Sequence, residues 1–288
     1  MIPAAFDYHR AMSVDDALEL LGRFGDDAKV LAGGHSLIPM MKLRFARPAT
    51  LVDIARIAEL RGIVGSDAGL RIGATTSHAD VAASPDVLQY APALSDAANH
   101  LGDLQVRNRG TIGGACAHGD PSADYPAVML ALDATLAVTS RAGVRTVRAD
   151  DFFRDMFDTD IEPGELVTSL HIDATPQSAY IKLPHPASGY AVLGVAVALG
   201  IARGRINSAR VAVTGLTYTQ IRLPSVEERL SGIDPHDAAA IAAACAGAAA
   251  GIETRGDSYA SGPYRAAVCD TLVERALDRA LTRVPLAP

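Results

Sequence analysis

Cysteine is scarce in this chain of 288 residues, and Cys116, Cys245 and Cys269 stand far apart. That spacing excludes a C-x-x-C metal site, an iron–sulfur cluster and a disulfide framework. It also points to a reducing compartment, so a cytoplasmic protein is expected. An excess of basic charge is missing too. With 26 Lys+Arg against 33 Asp+Glu the formal charge is −7, which argues against non-specific binding to nucleic acid or an anionic membrane surface. No apolar run suits a bilayer, since Tyr190–Ala202 is too short and Ala238–Ile252 too rich in alanine. Asp7, Asp15, Asp16 and Glu19 stand where a secretory signal would need an apolar core. The motifs G-x-G-x-x-G, P-loop, H-E-x-x-H and G-x-S-x-G are all absent, which removes common routes to nucleotide binding, zinc hydrolysis and serine esterase chemistry.

What is present is a 49% hydrophobic composition, ample for buried cores, in a chain long enough for two domains or one domain with lobes. Ser13-Val-Asp-Asp16 ahead of Ala17, Leu18, Leu20 and Leu21 predicts a capped helix. The run Lys29–Ala32, a helical stretch around Ile38–Leu43 and the run Thr50–Ile54 then complete a small βαβ-like unit, residues 1–56. Residues 57–176 read as α+β. Strand candidates are Leu70–Ala74, Thr135–Thr139, Arg145–Arg148 and Leu166–Ile172, with helices near Ser77–Ala82, Ser95–Leu101 and Ala123–Leu132. A third α/β unit, 177–288, carries the runs Ala191–Ala202 and Ile206–Leu216. The turn signal Arg203-Gly-Arg205 makes a hairpin of them, and a last helix opens at Ser261-Gly-Pro263.

Two glycine pairs are the main chemical signal, Ala32-Gly33-Gly34-His35-Ser36 and Thr111-Ile-Gly113-Gly114-Ala115, each read as following a short apolar run. Paired glycines reach positive φ and let successive N–H groups converge on an anion, with a following helix N-terminus adding a favourable dipole. The same pair also serves as a plain tight turn. Cys116-Ala-His118-Gly-Asp120 lacks a second ligand cluster, so turn and capping roles are expected there and no metal site is assigned. Asp124 suits a helix start or an acceptor for a ribose or ribityl hydroxyl. Lys182 and Tyr190 read either as a strand charge and a core-edge ring or as partners of a flavin. No histidine pair shows helical spacing, so none is assigned as base or ligand and no catalytic residue is named.

Ala32-Gly-Gly-His-Ser36 with Leu37-Ile-Pro39, followed by Thr111-Ile-Gly-Gly114, resembles the FAD-binding medium subunit of the molybdenum hydroxylase (xanthine oxidase) family. Phe6–Arg10, Met41–Arg44, Ile72–Thr75, His118–Asp124, Gly164–Leu166, Ser188–Tyr190 and Gly262–Arg265 extend the likeness in order along the whole chain. Within that family it is most similar to the medium subunits of aerobic carbon monoxide dehydrogenases. The resemblance implies an α+β architecture: a two-subdomain FAD-binding fold of the vanillyl-alcohol-oxidase type followed by the C-terminal flavoprotein domain. It places Val30, Leu31, Ala32, Gly33, Gly34, His35, Ser36 and Leu37 around the FAD pyrophosphate and Thr111, Ile112, Gly113, Gly114 and Ala115 along the flavin side. It assigns Asp124 to a sugar hydroxyl, and Lys182 and Tyr190 to the neighbourhood of the flavin. Ala115 stands where relatives often carry Asn, so only its backbone can serve.

The implied function is electron transfer. A large partner subunit would hold the molybdenum cofactor and a small one two [2Fe–2S] clusters, while FAD here would pass electrons to an acceptor such as quinone, in a heterohexamer. The complex would oxidise carbon monoxide to carbon dioxide, with an N-heterocycle or aldehyde hydroxylase as the alternative. Any contact with the inner face of the membrane would come through partners. A stand-alone flavin oxidase and a non-catalytic scaffold are the readings from other classes.

Overall fold

The computed structural model describes residues 1–283. Its first unit is a three-stranded parallel sheet in which Thr50–Asp53 lies between Asp7–Arg10 and Ala28–Leu31. The helix Val14–Phe24 covers it, capped as expected by Ser13, whose Oγ accepts the Asp16 N–H. Ala17, Leu18 and Leu21 form its buried stripe over Val52. The edge strand Asp7–Arg10 has no strand signal in the sequence, because its side chains are nearly all exposed and leave no apolar alternation to read.

The middle sheet runs Ile63–Ser66, Gly69–Gly73, Leu166–Asp173, Thr135–Ser140, Gly143–Arg148, antiparallel throughout. Helices Pro92–His100 and Asp124–Ala131 bury residues on every side and fill the largest core. One expectation fails here. The segment before the second glycine pair is a polar helix, Leu104–Arg109, and the pair itself sits in the first turn of another helix, Ile112–His118. Thr111 is the N-cap of that helix, its Oγ1 accepting the Gly114 N–H at 3.3 Å, so the pair follows a cap and no strand.

The third sheet is Ser178–Pro184, Ala191–Ala202, Arg205–Thr214 and Ile221–Arg222 in order. The sequence gives no strand bounds for Ser178–Pro184, and its one strand reading there is that of the Lys182 charge. The hairpin turns at Arg203 and Gly204, both at positive φ, as such a tight turn requires. Its first strand is buried on both faces by a division of size. Leu193, Val195, Val197 and Leu199 meet the closing helix Gly262–Leu281 and its neighbours, while Ala196 and Ala198 face the middle unit's helices. Alanine on that face lets the helices approach closely.

Candidate functional site

A cleft of about 720 Å³ opens where the first unit meets the middle one, inside the ~300–1,000 Å³ range of cofactor sites. All of Val30 through Leu37 lines it, together with Thr111, Gly113, Gly114 and Ala115. Ile112 does not, being fully buried beneath. A smaller shelf of about 350 Å³ continues outward past His35 and Ser36 to Tyr190. The structure therefore brings the two glycine segments to one space and places Tyr190 at its outer end.

The two segments do different things. At the first, Gly34 adopts φ +75°, and among the described residues the N–H groups of Gly34, His35, Ser36 and Leu37 donate to no acceptor in the chain. His35 Nδ1 lies 2.9 Å from the Gly33 carbonyl and, since a carbonyl only accepts, carries the proton. Consecutive free donors on a turn form an anion nest. The helix that follows, Leu37–Lys42, is too short for its dipole to matter much, so the donors carry the site.

At the second pair every donor is already used. Ile112 N–H goes to the Thr76 carbonyl, Gly113 N–H to the Ala74 carbonyl at 2.9 Å, Gly114 N–H to Thr111 and Ala115 N–H to the Thr111 carbonyl. Of the two readings the sequence leaves open for this pair, the hydrogen bonds favour a close turn over a second anion cradle. Neither Gly113 nor Gly114 has positive φ, and a Cβ on Gly113 would lie 2.5 Å from that of Ala74. These glycines bring a helix against a strand end, and what they present to the cleft is a close, smooth wall. Gly33 works in the same sense. A Cβ there would lie 2.3 Å from the Arg109 carbonyl oxygen, so its absence lets the two segments touch.

Asp124 and Lys182 do not line the cleft. Both side chains are buried, with Lys182 Nζ donating to Asp124 Oδ2 at 3.0 Å and Tyr180 Oη donating to the other carboxylate oxygen. Lys182 also donates to the carbonyls of His100 and Gly189 at 2.8 and 2.9 Å, which uses all three of its protons. Burial pushes the Asp124 carboxyl pKa up, and Lys182 opposes that rise.

Three features of the cleft are not assigned to it from the sequence. One wall is the 157–167 segment, where Ile161 and Leu166 are apolar and Glu162 and Glu165 acidic. Arg145 fastens it, reaching Glu165 with Nε at 2.9 Å and Nη2 at 2.6 Å. The motif Gly164-Glu-Leu166 marks this wall without showing that it faces the cleft. His78 and His118 also line the cleft. Burial lowers both imidazoles, His78 to about 4, so His78 is neutral at pH 7.

A dinucleotide fits these residues. The four free N–H groups suit a pyrophosphate, the smooth Thr111–Ala115 wall and neutral His78 suit a flat uncharged ring system, and the cleft and its shelf together give the length.

Known proteins agree with that fit. The chain is 41% identical to the carbon monoxide dehydrogenase medium chain of Hydrogenophaga pseudoflava over 98% of this chain and 99% of that one. It is 40% identical to subunit alpha of the 6-hydroxypseudooxynicotine dehydrogenase complex of Paenarthrobacter nicotinovorans, covering 98% and 97%. A solved carbon monoxide dehydrogenase from Hydrogenophaga pseudoflava matches with TM-score 0.92 at 42% identity, covering 98% and 99% of the two chains. Residues 178–280 match the CO dehydrogenase flavoprotein C-terminal domain. Residues 4–174, more than half of the chain, match the FAD binding domain in molybdopterin dehydrogenase, and the chain belongs to that family.

Proposed function

We propose that this chain is the FAD-carrying electron-transfer subunit of a molybdenum hydroxylase complex, receiving electrons from iron–sulfur clusters of a small subunit and releasing them to an acceptor such as quinone. The observation that carries the reading is the run of unpartnered N–H groups at Gly34–Leu37 facing a cleft of cofactor size. FAD supplies the redox chemistry when bound, accepting electrons singly and in pairs. The chain's own residues bind and orient. The nest holds the negative charge, the Thr111–Ala115 wall sets the plane against which a ring can lie, and neutral His78 adds no charge beside it.

Carbon monoxide is the first substrate reading for the whole complex, since two relatives are carbon monoxide dehydrogenase medium chains. Nearly equal identity to a 6-hydroxypseudooxynicotine dehydrogenase subunit keeps N-heterocycle or aldehyde oxidation as the alternative, because the substrate is chosen on the large subunit. The test is purification of the chain from its host with its neighbours untagged. A flavin spectrum with co-purifying molybdenum and iron–sulfur subunits is expected. A yellow chain that purifies alone and turns over a small organic substrate would replace this reading with a stand-alone oxidase.

A further inference from the structure

Lys182, Asp124 and Tyr180 form a charged network at the seam between the third sheet and the middle unit. Lys182 and Tyr180 sit on the strand Ser178–Pro184, while Asp124 opens one helix of the middle unit and His100 ends another. The Lys182 side chain is 2% exposed and that of Asp124 3%. Such a pair needs its full set of hydrogen bonds to offset its desolvation, and here the set is complete. Tyr180 Oη reaches Asp124 because the neighbouring strand carries Gly194, where a Cβ would lie 2.2 Å from that hydroxyl oxygen. The His100 carbonyl is one of the orphan acceptors at a helix C-terminus, a place that favours a cation.

The third acceptor of Lys182 is the Gly189 carbonyl, in the turn that leads to Tyr190. The turn is otherwise held by short-range bonds, Gly189 N–H to the His185 carbonyl and His185 N–H to the Tyr190 carbonyl. Gly189, at φ +73°, has open space around it. Just past Tyr190 the Ala191 N–H donates to the Ser122 carbonyl of the middle unit at 3.3 Å, and the Lys182 ammonium is the side-chain link that ties the turn's far end to that same unit. Tyr190 then stands on the shelf opposite His35 and Ser36.

We propose that Lys182, paired with Asp124, is a positioning residue: it clamps the Pro184–Tyr190 turn of the third unit to the middle unit and so fixes Tyr190 at the outer end of the cofactor cleft. The clamp stands on geometry alone, and it rests on the FAD-carrier reading only for what Tyr190 faces.

The chain contains no tryptophan, so Tyr190→Trp in the full-length protein supplies a single fluorescent reporter. Tyr218→Trp, in a separate turn and 55% exposed, is the control. Each reporter is placed in the Lys182→Met background and in Lys182→Met/Asp124→Asn. The double variant removes both charges, so no bare carboxylate is left buried and folding is kept. Thermal unfolding and circular dichroism verify the fold. For the Tyr190→Trp reporter the expected result is an acrylamide quenching constant raised about two-fold with lower anisotropy, as local opening of the turn demands, while the Tyr218→Trp control stays unchanged. FAD affinity stays within about three-fold, because neither side chain lines the cleft. Unchanged quenching of the Tyr190→Trp reporter in folded variants overturns the proposal, as does an equal change in reporter and control. A loss of FAD affinity of about ten-fold or more with that reporter unmoved would also overturn it, making Lys182 and Asp124 direct cofactor contacts. Failure of the unsubstituted chain, with Tyr190 in place, to bind FAD counts against the carrier reading alone, since the quenching comparison needs no cofactor.

Discussion

Gly33→Ala adds one carbon, and the structure says what that carbon meets. It would lie 2.3 Å from the Arg109 carbonyl oxygen, 2.7 Å from Gly110 Cα and 3.0 Å from the Arg109 carbonyl carbon, all backbone. No rotamer change relieves the clash, and because φ at Gly33 is not positive the effect is steric alone. Restoring ordinary contact at ~3.4 Å requires the two segments to separate by about 1 Å. The N–H groups of Gly34–Leu37 move with their segment, and a shift of about 1 Å takes an N–H···O bond out of range. Losing two bonds to a charged pyrophosphate, at ~1.5–3 kcal/mol each, weakens FAD binding by roughly a hundred-fold to ten-thousand-fold. Gly34→Ala meets only the ends of Ile38 and Leu31, at 3.1 and 3.2 Å. Its positive φ costs ~1–2 kcal/mol, so a loss of about ten-fold is expected. Titration of the apo chain with FAD, followed by flavin fluorescence, measures both. A folded Gly33→Ala protein that binds FAD within about three-fold of the parent would refute the reasoning.

Other consequences follow from the same geometry. Gly113→Ala drives its Cβ into Ala74, which is fully packed, so unfolding in urea should show a loss of ~1–3 kcal/mol. FAD affinity of the folded fraction falls less than for Gly33→Ala, since the Gly113 N–H already serves Ala74. His78 titrates near 4 when folded and near 6.5 when unfolded, so the unfolded state binds the extra proton as pH falls from about 6.5 towards 4. Stability drops across that window by up to about 3 kcal/mol, and His78→Phe should flatten the profile in pH-dependent urea melts. Arg265, 1% exposed, donates to the carbonyls of Val192 and Gly215 and pairs with Asp257. Arg265→Ala strips these acceptors at once, and a loss of ~3–5 kcal/mol is expected from thermal or urea unfolding.

Local chemistry makes much of the fold legible. The Ser13 cap, Gly204 in the hairpin turn and the Ser261 cap all stand where their side-chain or φ preferences put them. The first glycine pair is readable for the same reason, because a free-donor turn is a property of a few consecutive residues. The second pair reads wrongly as a strand end, since a Thr cap followed by glycines and a strand followed by glycines look alike until Ala74 is seen against Gly113. The family resemblance assigns Asp124 and Lys182 to the cofactor, while the residues by themselves leave a helix start and a strand charge equally open. Within the chain they bond to each other, to Tyr180 and to the carbonyls of His100 and Gly189, and no local pattern encodes a pairing across two folding units. The 157–167 wall escapes for a related reason, as it is a surface segment fixed by Arg145 from a neighbouring strand.

The central claim is that FAD lies on the free donors of the first glycine segment while the second serves as a wall. Amide hydrogen exchange of the chain with and without FAD tests it most directly. The account predicts strong new protection at residues 34–37, whose N–H groups have no partner among the described residues, and little change at 112–115, whose N–H groups already have one. New protection confined to 112–115, with 34–37 exchanging as before, would contradict it.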